Sequence, residues 1–255
     1  MKITIIQPDL LWENRHGNLS HLDLLIEPLL NNTDIVVLPE MFTTGFSMNV
    51  TLLAESQEGE TFIWLKKTAM KGNFGICGSY IVQENNLFYN RWLFVSPEGD
   101  HYYYDKRHLF SMGGEDRFYT PGKSRLIFNF RGFRISPYIC YDLRFPVWSR
   151  NLNEYDLAIY SASWPESRIG AWNTLLPARA IENQCYVAAS NRIGTDGNGV
   201  RHNGLSQVIN PRGEIICSAG IEECTFTSDI PIQELIAFRN KFNVLRDSDE
   251  FTIFF

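Results

Sequence analysis

Three residues of this 255-residue chain have types and settings suited to acyl transfer: Glu40, Lys106 and Cys140. Each closes an apolar or aromatic run, "DIVVLPE", "HYYYDK" and "SPYIC", where an α/β protein delivers side chains to a site at its strand ends. A free thiol with a pKa near 8.5 is only about 3% thiolate at pH 7, so a nucleophilic cysteine needs a base or a cation beside it. Histidine is the usual partner. His16, His21, His101, His108 and His202, however, stand in polar, turn-rich or helical stretches without a Cys-His signature. Glu40, a carboxylate at a buried strand end, would have the raised pKa that suits proton exchange. Lys106 would offer an ammonium to a thiolate and to a developing oxyanion. Singly, each has an ordinary reading as a buried thiol, a satisfied ion pair or a solvated lysine; together they make a nucleophile, a base and an oxyanion donor.

Elements that could position them are legible. Short β-branched and aromatic runs at 3–6, 34–40, 74–82, 136–141, 156–163 and 185–190 read as strands, and amphipathic segments near 16–30, 60–72 and 170–183 read as helices. The alternation predicts an α/β fold. Hairpin turns interrupt it at "PEGD", at the "RG" of "RLIFNFRGFRI" and at "NPRG", so the strands must form mixed sheets. Two such sheets packed face to face, with helices outside, absorb this many strands where one parallel sheet would not. No repeat, linker or low-complexity tract breaks the chain, and its length suits a single domain over 1–255.

Composition narrows the partners. A net charge of −6 and the lack of a basic patch argue against nucleic acid or an anionic membrane and favour a small molecule. The apolar stretch at the N-terminus is too short for a signal peptide or a membrane span. A cytoplasmic protein is therefore expected, and five cysteines, an odd number without C-x-x-C spacing, read as reduced. Zinc and Ser-His-Asp hydrolase motifs (H-E-x-x-H, G-x-S-x-G) are absent.

In "VVLPEMF", "YYDKRHLF" and "YICYDLRFP", in that order, the chain resembles the nitrilase superfamily of carbon-nitrogen hydrolases. "GGEDRFYTPG" looks like the family's stretch with a second active-site glutamate, matched here by Glu115, with the adjacent Asp116 one residue out of register. The block at 162–194 looks like the bacterial ω-amidase branch. The resemblance implies an αββα four-layer sandwich, a homodimer, and no metal or organic cofactor. It also implies Glu40, Lys106, Cys140 and Glu115 as the catalytic set, with Lys106 and the Tyr141 backbone N–H holding the oxyanion of an amide passing through a cysteinyl thioester.

Substrate choice rests on fewer residues. Arg144 suits a bidentate pair with the far carboxylate of a short substrate, although it could instead pair with Asp142 or another acidic neighbour. That favours dicarboxylic acid monoamides such as 2-oxoglutaramate and 2-oxosuccinamate. Among Phe42, Phe46, Trp164 and Trp172, the two within or beside motif segments, Phe42 and Trp164, are the expected pocket aromatics. Ser167 and Arg168 are further candidate carboxylate contacts. Competing readings are an amidase for deaminated glutathione or N-carbamoyl compounds, and a non-catalytic binding protein on the same fold.

Overall fold

The computed structural model describes residues 1–253. Its first sheet is built from β1 (Lys2–Gln7), β2 (Ile35–Val37), β3 (Gly75–Glu84), β4 (Leu87–Val95) and β5 (His101–Asp105), with β14 (Cys224–Asp229) joining antiparallel at the β1 edge. The second sheet contains β6 (Phe128–Phe130), β7 (Phe133–Ile139), β8 (Leu157–Ser161), β9 (Tyr186–Ser190), β12 (Gln207–Ile209) and β13 (Ile215–Ser218). A separate hairpin pairs β10 (Ile193–Thr195) with β11 (Arg201–Asn203). The helices are α1 (Arg15–Ile26), α2 (Val50–Leu53), α3 (Glu60–Gly72), α4 (Ile169–Asn183) and α5 (Ile232–Lys241).

Pleating explains the layers. On β1 and β2, Ile3, Ile5, Ile35 and Val37 point toward the second sheet and share its core with Ile135, Ile139, Leu157 and Ile159. The alternate positions, Ile6 and Val36, meet Leu19, Leu22 and Ile26 of α1 and Leu65 and Ala69 of α3 on the outer face. Trp172, Leu176 and Ala180 of α4, with Leu235 of α5, cover the second sheet. The result is helix, sheet, sheet, helix, the four-layer arrangement expected from the sequence. Among the described residues no helix is long and apolar enough to cross a membrane.

The three predicted hairpins form: β4 with β5, β6 with β7, and β12 with β13. Parallel pairing runs β1–β2–β3 in one sheet and β7–β8–β9 in the other. Because β5 is antiparallel to β4 and β4 to β3, β5 runs in the direction of β3. The chain segments leaving β2, β5, β7 and β8 therefore emerge at matching sheet ends, where a site can be assembled.

Candidate active site

Those segments bring Glu40, Lys106 and Cys140 into the wall of one cavity of about 350 Å³. Glu40 lies three residues beyond the end of β2, not on the strand predicted over 34–40. Its loop is laced to β3 by Leu38 N–H to the Cys77 carbonyl (2.7 Å) and Met41 N–H to Ser79 Oγ (2.9 Å). Gly78 permits this approach: a Cβ there would meet Leu38 and Phe42 atoms at 2.8 Å. The Glu40 N–H donates across to the Ala162 carbonyl (3.3 Å), and Ser163 N–H returns a bond to Glu40 Oε2 (2.9 Å). The carboxylate is thus fixed by both sheets.

Lys106 follows β5 directly and is buried together with Glu40 and Glu115. Its Nζ lies 2.7 Å from Glu40 Oε1 and 2.8 Å from Glu115 Oε2, and 5.2 Å from the centre of the Phe46 ring. Asn90 of β4 donates from Nδ2 to both carboxylates, at 2.9 Å to Glu40 and 3.0 Å to Glu115. Phe110 N–H donates to Glu115 Oε2 (2.6 Å). The structure settles the register left open by the sequence: Glu115 is in the cluster, and Asp116 is exposed. Burial alone would lower the Lys106 pKa, but the charges of Glu115 and then Glu40 outweigh it and hold the ammonium above the ordinary lysine range. Glu115 sits above the ordinary carboxylate range through burial, which the neighbouring ammonium only partly offsets.

Cys140 is displayed by a backbone feature. The strand predicted over 136–141 stops at Ile139, and Cys140 enters a 3₁₀ turn, Cys140–Arg144, with φ +43°. A non-glycine residue in this left-handed region costs about 1–3 kcal/mol and persists only where surrounding contacts enforce it. Asp142 supplies them. It is buried; Oδ2 accepts from Ile139 N–H (3.0 Å) and the Tyr104 hydroxyl (2.8 Å), and Oδ1 lies 3.0 Å from His108 N and 2.8 Å from His108 Nδ1. One carboxylate thereby ties the cysteine turn to the segment carrying Lys106. The same bonds rule out the alternative pairing of Asp142 with Arg144. Burial raises the thiol pKa well above its ordinary value, and the Glu40 charge pushes it further against the pull of Lys106. Both effects favour the thiol over the thiolate.

Asp142→Asn would confront at least one N–H with another. It should lower stability by about 1–3 kcal/mol and kcat about tenfold or more, with KM little changed. Thermal unfolding and steady-state kinetics check this; an unchanged kcat would remove the positioning role.

Around these groups the cavity wall includes Tyr141, Arg144, Trp164 and Arg168. Arg144 stacks 5.1 Å above Trp164, whose backbone N–H donates to Asn191 Oδ1 (2.7 Å). Phe42 does not reach the cavity, contrary to the expectation from its motif. It is fully buried with Leu38, Ile76 and Tyr80, and its place at the cavity is taken by Phe46. Trp172 is core, as expected, and Ser167 is exposed and does not line the cavity, whereas Arg168 does.

Sequence reasoning missed one residue that holds the two carboxylates and one part of the wall. Asn90 sits inside a strand run, where its only signal was a polar residue at a buried position. The β10–β11 hairpin contributes Asp196 and His202. His202 has the polar neighbours expected of it but is buried among them, with Nε2 3.3 Å from Ser163 Oγ, and burial with the nearby Arg192 charge pushes its pKa down to about 4. It is neutral at pH 7.

This arrangement can accept a proton from a thiol, stabilise an oxyanion beside it and hold an anionic substrate group. A family model for carbon-nitrogen hydrolase matches residues 2–240. The chain is 46% identical to Omega-amidase YafV of Escherichia coli K12 over 99% of its own length and 98% of that protein. It is 35% identical to 2-oxoglutaramate amidase of Bacillus subtilis, over 96% of each chain. A CN-hydrolase superfamily protein of Xanthomonas campestris, solved with an arsenic adduct in its active site, superposes with a TM-score of 0.97 at 39% identity, covering 99% of this chain and 98% of that one. With the four-layer fold and the Glu-Lys-Cys cavity already in place, this chain belongs to the carbon-nitrogen hydrolase family.

Proposed function

We propose that the protein is an ω-amidase that hydrolyses the terminal amide of short dicarboxylic acid monoamides, of the 2-oxoglutaramate type, through a cysteinyl thioester. The observation that carries this reading is the buried Lys106 ammonium held between Glu40 and Glu115 in the wall that also presents Cys140. The names of the two relatives above support the substrate class. A cavity of about 350 Å³ lies near the small end of the usual range of about 300–1,000 Å³, which suits a five-carbon substrate.

As the thiol attacks the amide carbon, its proton passes to Glu40 and an oxyanion forms. The Lys106 ammonium bonds Glu40 Oε1 (2.7 Å) and both Glu115 oxygens (2.8 and 3.1 Å), and the donor on the longest of these turns to the oxyanion, beside the Tyr141 N–H at the start of the 3₁₀ turn. Collapse breaks the C–N bond, and the proton on Glu40 goes to the departing ammonia. A water then gives its proton to Glu40 while attacking the thioester, and the returned proton restores the thiol. Glu115 and Asn90 take no proton here: they hold Lys106 and Glu40 in register.

Arg144 anchors the substrate carboxylate. It has no carboxylate partner among the described residues, and its guanidinium is oriented by the Trp164 ring. Arg144→Lys keeps the charge but loses the planar fork. It should raise KM for acidic ω-amides at least about tenfold, against little change for neutral amides. The deciding assay is ammonia release from 2-oxoglutaramate, neutral amides and nitriles, by both the parent enzyme and Arg144→Lys. Failure of the parent to release ammonia from 2-oxoglutaramate would sink the proposal.

The expected cytoplasmic homodimer belongs to the same proposal. Its support is that all five cysteines are free, and that Val147, Leu152 and Ile181 expose apolar side chains where Arg150 bonds the Glu182 carbonyl.

A further inference from the structure

We propose that Arg168, acting with Arg144, makes the cavity selective for a 2-oxo acid over the corresponding 2-amino acid. This rests on the ω-amidase reading above and names the residue that would read the substrate's second carbon.

Arg168 ends the 3₁₀ turn Glu166–Arg168 just ahead of α4 and lines the cavity. Its backbone is fixed: its N–H donates to the Pro165 carbonyl (3.0 Å), and its own carbonyl accepts from Trp164 Nε1 (2.9 Å). Its guanidinium lies 5.0 Å from the centre of the Phe110 ring. Phe110 is the residue whose N–H grips Glu115, and its ring packs 5.1 Å from that of Tyr141, next to the nucleophile. Trp164 likewise serves both arginines, its ring beneath Arg144 and its indole N–H on Arg168. The two guanidinium groups are thus set by the same aromatic wall.

Neither meets a carboxylate among the described residues, whereas Arg15, Arg91, Arg134 and Arg239 each do. The acids nearby are engaged: Glu40 is bonded to Lys106, and Asp196 Oδ1 accepts from Asn198 and Val200 N–H in its own turn. His202 adds no charge at neutral pH. Two unpaired cations at one cavity call for a ligand with more than one acceptor group. A 2-oxo acid presents a carboxylate and a carbonyl oxygen in one planar array, enough for both forks. A 2-amino acid places an ammonium where the second fork would bind, and like charges there are repulsive.

The test measures kcat/KM for three five-carbon ω-amides that differ only at carbon 2: 2-oxoglutaramate, the unsubstituted glutaric acid monoamide, and L-glutamine. The parent enzyme should prefer them in that order. Arg168→Gln should lose about thirtyfold on the 2-oxo substrate, from a charged hydrogen bond given up, less than about threefold on the unsubstituted one, and gain on glutamine, whose ammonium no longer faces a like charge. Arg168→Lys should keep part of the preference, because its charge remains. Inhibition by 2-oxoglutarate relative to glutarate should weaken in step, a readout independent of turnover. An equal loss on all three amides, or none on any, would overturn the role of Arg168. A parent enzyme inactive on all three would instead overturn the ω-amidase reading on which it rests.

Discussion

Cys140→Ala should lower ammonia release from 2-oxoglutaramate about ten-thousandfold or more, to the level of the buffer. The reason is that both halves of the proposed cycle need its sulfur, which bonds the amide carbon in the first and leaves it in the second. Glu40, Lys106 and Tyr141 would remain in place, but without a nucleophile the oxyanion they are placed to hold never forms. The fold should tolerate the change. Alanine accepts the φ of +43° about as well as cysteine does, and the hydrogen bonds that enforce this turn come from Asp142, not from the thiol. An unchanged circular dichroism spectrum and melting temperature, together with absent turnover, is the expected pairing. Residual activity within tenfold of the parent would contradict a cysteine mechanism.

Lys106→Met should be both inactive and unstable, which separates it from Cys140→Ala. In the parent, one ammonium compensates two carboxylates that have no access to solvent. Removing it leaves Glu40 and Glu115 facing each other across Asn90, and breaking a buried pair by deleting one partner costs about 3–5 kcal/mol. The penalty depends on pH with a definite sign. A carboxyl whose folded pKa is raised above its unfolded value of 4.5, as that of Glu115 is, contributes stability that is fully present below that pH and lost as pH rises through the folded value. Without Lys106 the rise is larger. Lys106 itself, raised above 10.5 in the parent, keeps its proton across this window. The stability gap between variant and parent should therefore be smallest near pH 4 and widen toward pH 8. Urea unfolding at a series of pH values measures it; a gap independent of pH would show that the carboxylates are not held by this lysine.

How far the sequence revealed this site depends on what carried each signal. Glu40, Lys106 and Cys140 were legible because each ends an apolar run with an ionisable group, a pattern that strand ends in α/β folds produce for a physical reason. The hairpins were legible through turn chemistry at "PEGD" and "NPRG". The pocket aromatic was not, because strand parity fails beyond Leu38: Met41 takes φ +46° and Gly45 φ +74°, so the chain turns Phe42 into the core and Phe46 toward Lys106. Asn90 and Asp142 escaped for another reason. Their partners, Glu40 and Tyr104, lie 50 and 38 residues away, and no local pattern encodes a bond over that span. His202 lies in a polar, turn-rich stretch whose local pattern carries no sign of burial, although the β10–β11 hairpin folds it against Ser163.

The central claim is that the Cys140 sulfur becomes acylated by the substrate. Mixing enzyme with excess 2-oxoglutaramate, quenching in acid within the first turnovers and analysing the digested protein by mass spectrometry addresses it directly. The account predicts a mass gain of substrate less ammonia on the peptide carrying Cys140, absent from Cys140→Ala. Steady ammonia release from an enzyme whose Cys140 peptide stays unmodified at every quench time, or an adduct at another residue, would contradict it.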